Sequence, residues 1–151
     1  MKKIKVLLAA VILTGLTLTS CSSDDDSGGT SASIVGKWTP VKTIFKINGQ
    51  SLTTPYEDNE AGCDKDYLEF VEGGAVNDVI YYKNAQNVCT QDVGDPATWV
   101  KNNNSLTVNG TFDYDGTYTI EKLTGSELRV STSESSGGVT STAITYFTKV
   151  N

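Results

Sequence analysis

From Ile34 onward, no stretch repeats its apolar residues at the i, i+3, i+4 spacing of an amphipathic helix. Short runs rich in Val, Ile, Thr, Tyr and Phe alternate with polar residues instead, punctuated by Gly, Asn, Asp and Ser clusters. A period of two sends successive side chains to opposite faces of a strand. The pattern predicts an all-β domain of about eight or nine antiparallel strands, one face buried and one wet.

The runs can be followed one by one. In residues 41–47, Val41, Thr43, Phe45 and Ile47 share one face, and Lys42, Ile44 and Lys46 the other. Asn48-Gly49 is a strong hairpin signal, and residues 51–54 return until Pro55 ends the run. Residues 67–71 and 78–83 are predicted strands, separated at Gly73-Gly74. Residues 97–101 lead through Asn102, Asn103 and Asn104 to Leu106 and Val108. Asp115-Gly116 is predicted as a hairpin turn between residues 112–114 and 117–120, with Asn109-Gly110 as a competing turn. Thr124-Gly125-Ser126 and Gly137-Gly138 separate the last runs. In the final one, Ile144, Tyr146 and Thr148 lie against Thr145, Phe147 and Lys149. Residues 57–65 and 90–96 read as loops. This rhythm fits an up-and-down meander.

The N-terminus points to export. Lys2, Lys3 and Lys5 precede an apolar run over residues 6–18, too short for a span of roughly 20 residues but right for a secretory signal. Leu18-Thr19-Ser20-Cys21 resembles a bacterial lipobox, which implies cleavage before Cys21 and a lipid on its thiol. Two or three acyl chains anchor stably where one does not. The expected organisation is a lipoprotein signal over residues 1–20, a lipidated cysteine and acidic, Ser- and Gly-rich tether over 21–33, and one domain over 34–151. With Cys21 lipidated, Cys63 and Cys89 remain, and an even pair in an exported chain reads as a disulfide.

Composition narrows the chemistry. The chain has no histidine, which removes His-based acid–base catalysis, Ser-His-Asp and Cys-His nucleophiles, and His metal ligands. Without Lys2, Lys3 and Lys5, nine basic side chains face 18 acidic ones. Such a chain repels phosphate backbones, so no nucleic-acid partner is expected. Asp113-x-Asp115-Gly116 fails as a calcium loop, because the first and last liganding positions would fall on Thr111 and Lys122. The acidic stretch holding Glu57, Asp58, Glu60, Asp64 and Asp66 reads as a solvated loop, with weak calcium binding as the sharper alternative. No catalytic residue, metal or cofactor is assigned, and the protein is expected not to be an enzyme.

A family comes into view from the order of these segments. Ile34-Val35-Gly36-Lys37-Trp38 resembles the Gly-x-Trp signature of the first lipocalin strand. Cys63 then precedes Tyr67-Leu68-Glu69-Phe70, and Cys89 precedes Trp99, Ser105-Leu106-Thr107-Val108, Glu127-Leu128-Arg129-Val130 and Ile144-Thr145-Tyr146-Phe147. The set resembles the small lipocalin-like domains of lipoproteins from Bacteroidota. The resemblance implies a single up-and-down antiparallel barrel of about eight strands. It also implies a basic side chain from the last strand near the motif tryptophan, which Lys149 would supply. Trp38, Phe45, Phe70, Trp99, Tyr118 and Tyr146 are the expected inward aromatics and the candidate ligand-binding set. A domain of 118 residues is short for a wide calyx, so the interior is expected to be filled or nearly so. Two readings follow. One is a non-catalytic envelope lipoprotein, at the outer membrane and on the cell surface or the periplasmic face, that binds a small apolar or amphipathic ligand. The other is a displayed module that binds protein or glycan through its loops.

Overall fold

The alternating runs become ten strands. The structure is a computed structural model describing residues 32–111 and 113–150; the expected signal and Cys21 lie outside the described residues. In chain order the strands are β1 (Gly36–Ile47), β2 (Gln50–Pro55), β3 (Tyr67–Phe70), β4 (Ala75–Lys83), β5 (Cys89–Val93), β6 (Ala97–Asn102), β7 (Ser105–Asn109), β8 (Gly116–Leu123), β9 (Glu127–Ser136) and β10 (Val139–Lys149). Eight of them, β1-β3-β4-β6-β7-β8-β9-β10, form an antiparallel ring that β10 closes onto β1. The fold is therefore a closed eight-strand β-barrel. β2 and β5 stand outside the ring, one on β1 and one on β4.

The ring is complete at one end only. β1 pairs with β3 over Gly36, Lys37 and Trp38, and from Lys42 onward with β2. β4 meets β6 through Ala75 and Val76 alone, then continues beside β5. β8 leaves β9 at Ser131, so the rest of β9 pairs only with β10. Past this level the wall continues as the sheet β2-β1-β10-β9.

The closed end is packed solid. Trp38, Phe70, Leu106, Leu128, Val76 and Val108 are all within 2% of complete burial. Trp38 lies opposite Leu68 on β3 and opposite Lys149 on β10, and the second pairing puts a basic last-strand side chain beside the tryptophan, as the Gly-x-Trp resemblance implies. Its Nε1 donates to the Ile34 carbonyl at 2.6 Å. The Lys149 ammonium sits 5.1 Å from the Trp38 ring centroid and donates to the Val35 carbonyl at 3.0 Å. Gly36 makes this possible: its φ is +126°, and a Cβ there would lie 2.8 Å from Lys149 Cε.

A bulge between Pro40 and Lys42 resets the phase of β1. Pro40 has no N–H for the ladder, and a bulge is where a strand tolerates that. Trp38 and Pro40 point inward before it, and Thr43 and Phe45 after it, so Val41 drops out of the face expected to contain it.

Two local expectations are corrected. Residues 90–93, part of the stretch 90–96 read as a loop, belong to β5, a polar edge strand held by β4. Asp115-Gly116 is no two-residue hairpin turn: β8 starts at Gly116 opposite Val108, and residues 110–115 make the connection. The chain leaves β7 at the competing Asn109-Gly110 instead. Gly110 has φ +100°, and a Cβ there would lie 3.1 Å from Ala97 Cα.

Candidate functional site

At its incomplete end the ring opens into a cavity of about 960 Å³. Thr43 and Phe45 line one wall from β1, and Ala143 and Thr145 the same wall from β10. Thr132 and Glu134 of β9, Tyr118 of β8, and the connection carrying Asp113, Tyr114 and Asp115 continue it. Tyr56, Glu57 and Asp58, which follow β2, close the rim. The interior is thus filled at the Trp38 end and hollow at the other. The ring itself is filled, and the cavity arises because the strands run past the level at which the ring closes.

The floor is fixed by hydrogen bonds. Thr43 Oγ1 and Thr145 Oγ1 lie 3.3 Å apart as a direct cross-strand pair. Asp66, 3% exposed, accepts from the Tyr56 hydroxyl at 2.8 Å and from the Tyr81 backbone N–H at 2.7 Å. Its own N–H donates to Asn59 Oδ1 at 3.0 Å. Asp66 therefore anchors the rim loop rather than belonging to a solvated acidic run. Asp115 Oδ1 accepts the Thr111 N–H at 2.9 Å and holds the β7–β8 connection in place. The Tyr114 ring packs on Phe147, with centroids 5.7 Å apart.

The electrostatics at this end are one-sided. Burial, then the nearby Asp113 and Asp66 carboxylates, push the Asp78 carboxyl up to about 6. Asp78 lies opposite Leu68 and shares its inward face. Burial, followed by the Asp66 hydrogen bond, drives the Tyr56 phenol far above its ordinary range. The Tyr114 phenol is also pushed up, by burial and then by Asp78 and Asp113. Among the described residues, no group of three or more His, Cys, Asp or Glu side chains is arranged to hold a metal ion.

The six aromatics singled out in the sequence divide three ways. Phe45 and Tyr118 line the cavity. Trp38 and Phe70 fill the closed end, and Trp99 packs edge-on against Phe70 with centroids 5.6 Å apart, its Nε1 donating to the Val71 carbonyl. Tyr146 is on the outer wall, which corrects its expected inward placement. Lys42 and Arg129 are its cross-strand neighbours, and each places its cation 4.8 Å from the ring centroid. Phe147, with no hydroxyl to satisfy, takes the inward position. Tyr56 and Tyr114 line the cavity but were not singled out in the sequence: Tyr56 follows the run that Pro55 ends, and Tyr114 was read as part of a hairpin strand rather than of the connection it occupies. Cys63 and Cys89 are joined by a disulfide, Cα atoms 5.5 Å apart, which ties the rim loop to the start of β5.

A second recess, of about 720 Å³, lies on the outer wall beneath the same loop. Tyr67 and Tyr81 stand there with centroids 6.4 Å apart, and the Lys37 ammonium lies 4.5 Å from the Tyr67 ring centroid.

No curated protein matches the chain. The family model described as the lipocalin-like domain matches residues 34–130, from the segment before β1 into β9. That match covers more than half of the sequence, and by it the chain belongs to the lipocalin-like domain family.

Proposed function

We propose that this protein is a non-catalytic, lipid-anchored envelope protein whose barrel takes a small amphipathic molecule at its open end. The half-filled interior carries the reading. A cavity of about 960 Å³ falls in the size range of small-molecule sites, and its wall mixes aromatic rings with a few hydroxyls and carboxylates. The solid core beneath gives that wall a rigid base. The lipobox resemblance at residues 18–21, after a basic and then apolar start, supports the envelope location.

The test uses a neutral, environment-sensitive dye, Nile red. Wild type is expected to enhance its fluorescence. Ala143→Trp, which projects into the cavity, is expected to abolish the enhancement, whereas Tyr146→Ala on the outer wall leaves it intact. Equal enhancement by both variants removes the cavity as the site. Native mass spectrometry of protein from its own host would then show a retained small molecule as added mass.

The outer recess favours a second reading, a glycan-binding module. Two tilted tyrosine rings beside Lys37 and Asn59 offer a stacking face with polar edges. Loss of glycan-array binding in Tyr67→Ala/Tyr81→Ala, with Nile red binding retained, would support it.

A further inference from the structure

We infer that the open cavity selects a cationic amphiphile, with an apolar body between Phe45 and Tyr118 and a positively charged head at the rim. This rests on the cavity being a ligand site, as proposed above, and goes on to name the class of ligand.

The cavity makes the site and the charges choose the occupant. Phe45, Tyr56, Tyr114 and Tyr118 all contribute to its lining. Aromatic faces carry negative potential and attract cations within about 6 Å of the ring centroid. The phenols of Tyr56 and Tyr114 stay protonated well beyond neutral pH, so the rings remain neutral platforms.

Five carboxylates share that lining: Glu57, Asp58, Asp113, Asp115 and Glu134. All five residues are exposed at the mouth. Among the described residues, none of them takes part in a salt bridge. The one cation of the lining, Lys42, holds its ammonium over the Tyr146 ring on the outer wall. Carboxylates around a concave, low-dielectric surface focus a field that gathers cations and repels anions. A fatty-acid carboxylate would meet repulsion at this rim. An ammonium on the same alkyl chain would meet four rings and five carboxylates that no salt bridge neutralises.

The test compares three single-chain probes, each below its micelle concentration, by calorimetric titration of the full protein. They are decyltrimethylammonium, decyl maltoside and decanoate. The cation is expected to bind about tenfold tighter than the neutral probe, or 1.4 kcal/mol, with decanoate weakest and the preference shrinking as salt is added. Equal affinity for all three, or a preference for decanoate, overturns the inference while leaving the cavity as a ligand site. Binding by none of the three brings down the ligand-site reading itself, and the inference with it. In Asp58→Lys/Glu134→Lys, two exposed positions outside the core, the preference is expected to invert toward decanoate. A folded variant that keeps the wild-type order overturns the inference.

Discussion

At the residue scale, Trp38 decides the closed end. It is fully buried, bonded through Nε1 to Ile34, and covered by the Lys149 side chain that Gly36 admits. Trp38→Ala is expected to cost about 3–5 kcal/mol in urea denaturation, the usual loss for a large buried aromatic. A loss under about 1 kcal/mol, within the range of a surface change, would show that the ring is not the keystone of this end. This cluster was legible, because Gly36, Trp38 and Lys149 stand at positions that the lipocalin signature assigns. Asp78 was not. Its strand was visible, but only the register against Leu68 sends its carboxyl inward. That carboxyl rises from 3.8 to about 6 on folding, so the folded state binds its proton more tightly than the unfolded chain does. Its stabilising contribution is complete below the unfolded value and is lost as pH rises through about 6. With allowance for its solvent access, about 1 kcal/mol is involved. Wild type is therefore expected to lose this amount relative to Asp78→Asn between about pH 4 and 6. A stability gap between the two proteins that stays constant from pH 4 to 7 would assign the titration to other groups.

At the element scale, the strands that bury an apolar face were readable; of the two that lie outside the ring, β2 was signalled by the Asn48-Gly49 turn before it and β5 was missed. Leu128 and Val130 announce β9, and Leu106 and Val108 announce β7, because each pair alternates into the core. β5 reads Cys-Thr-Gln-Asp-Val and buries none of its residues, so its identity as a strand comes from β4 and the disulfide rather than from its own pattern. The bulge after Pro40 was hidden for a related reason: proline marks a break in pairing but not the direction in which the phase resumes. The disulfide closes a sequence separation of 26, for which the chain-entropy model gives roughly 3 kcal/mol. Cys63→Ser/Cys89→Ser is expected to lose about that much stability. The change should also be local in hydrogen exchange, with amides of β5 losing protection while those around Trp38 keep it. Uniform loss across the barrel would mean that the bridge supports the whole fold rather than the rim and the β4–β5 hairpin.

At the scale of the whole molecule, chain length alone suggested a filled barrel, and what length could not show is how far strands run beyond the ring. β1 has 12 residues and β10 has 11, whereas β3 has four. That inequality hollows out one end, and it follows from pairings between distant segments rather than from any local run. The anchor expected at the other extreme of the chain would set where this hollow end works. Ser22 and Ser23 follow Cys21, and then Asp24, Asp25 and Asp26 place three carboxylates beside the expected lipid. Like charges there repel one another and an anionic headgroup layer. This acidic cluster resembles the signal that sends Bacteroidota lipoproteins to the outer leaflet, where a transport machine must read it, since charge alone cannot carry a lipid anchor across a bilayer. Cys21→Ser is expected to leave the membrane fraction and appear in the soluble one without detergent. Protease added to intact cells is expected to remove the wild-type protein and to spare a variant with Asp24, Asp25 and Asp26 all changed to alanine. Equal protection of both in intact cells would place the protein on the periplasmic face and leave the carboxylates as a solubilising linker alone.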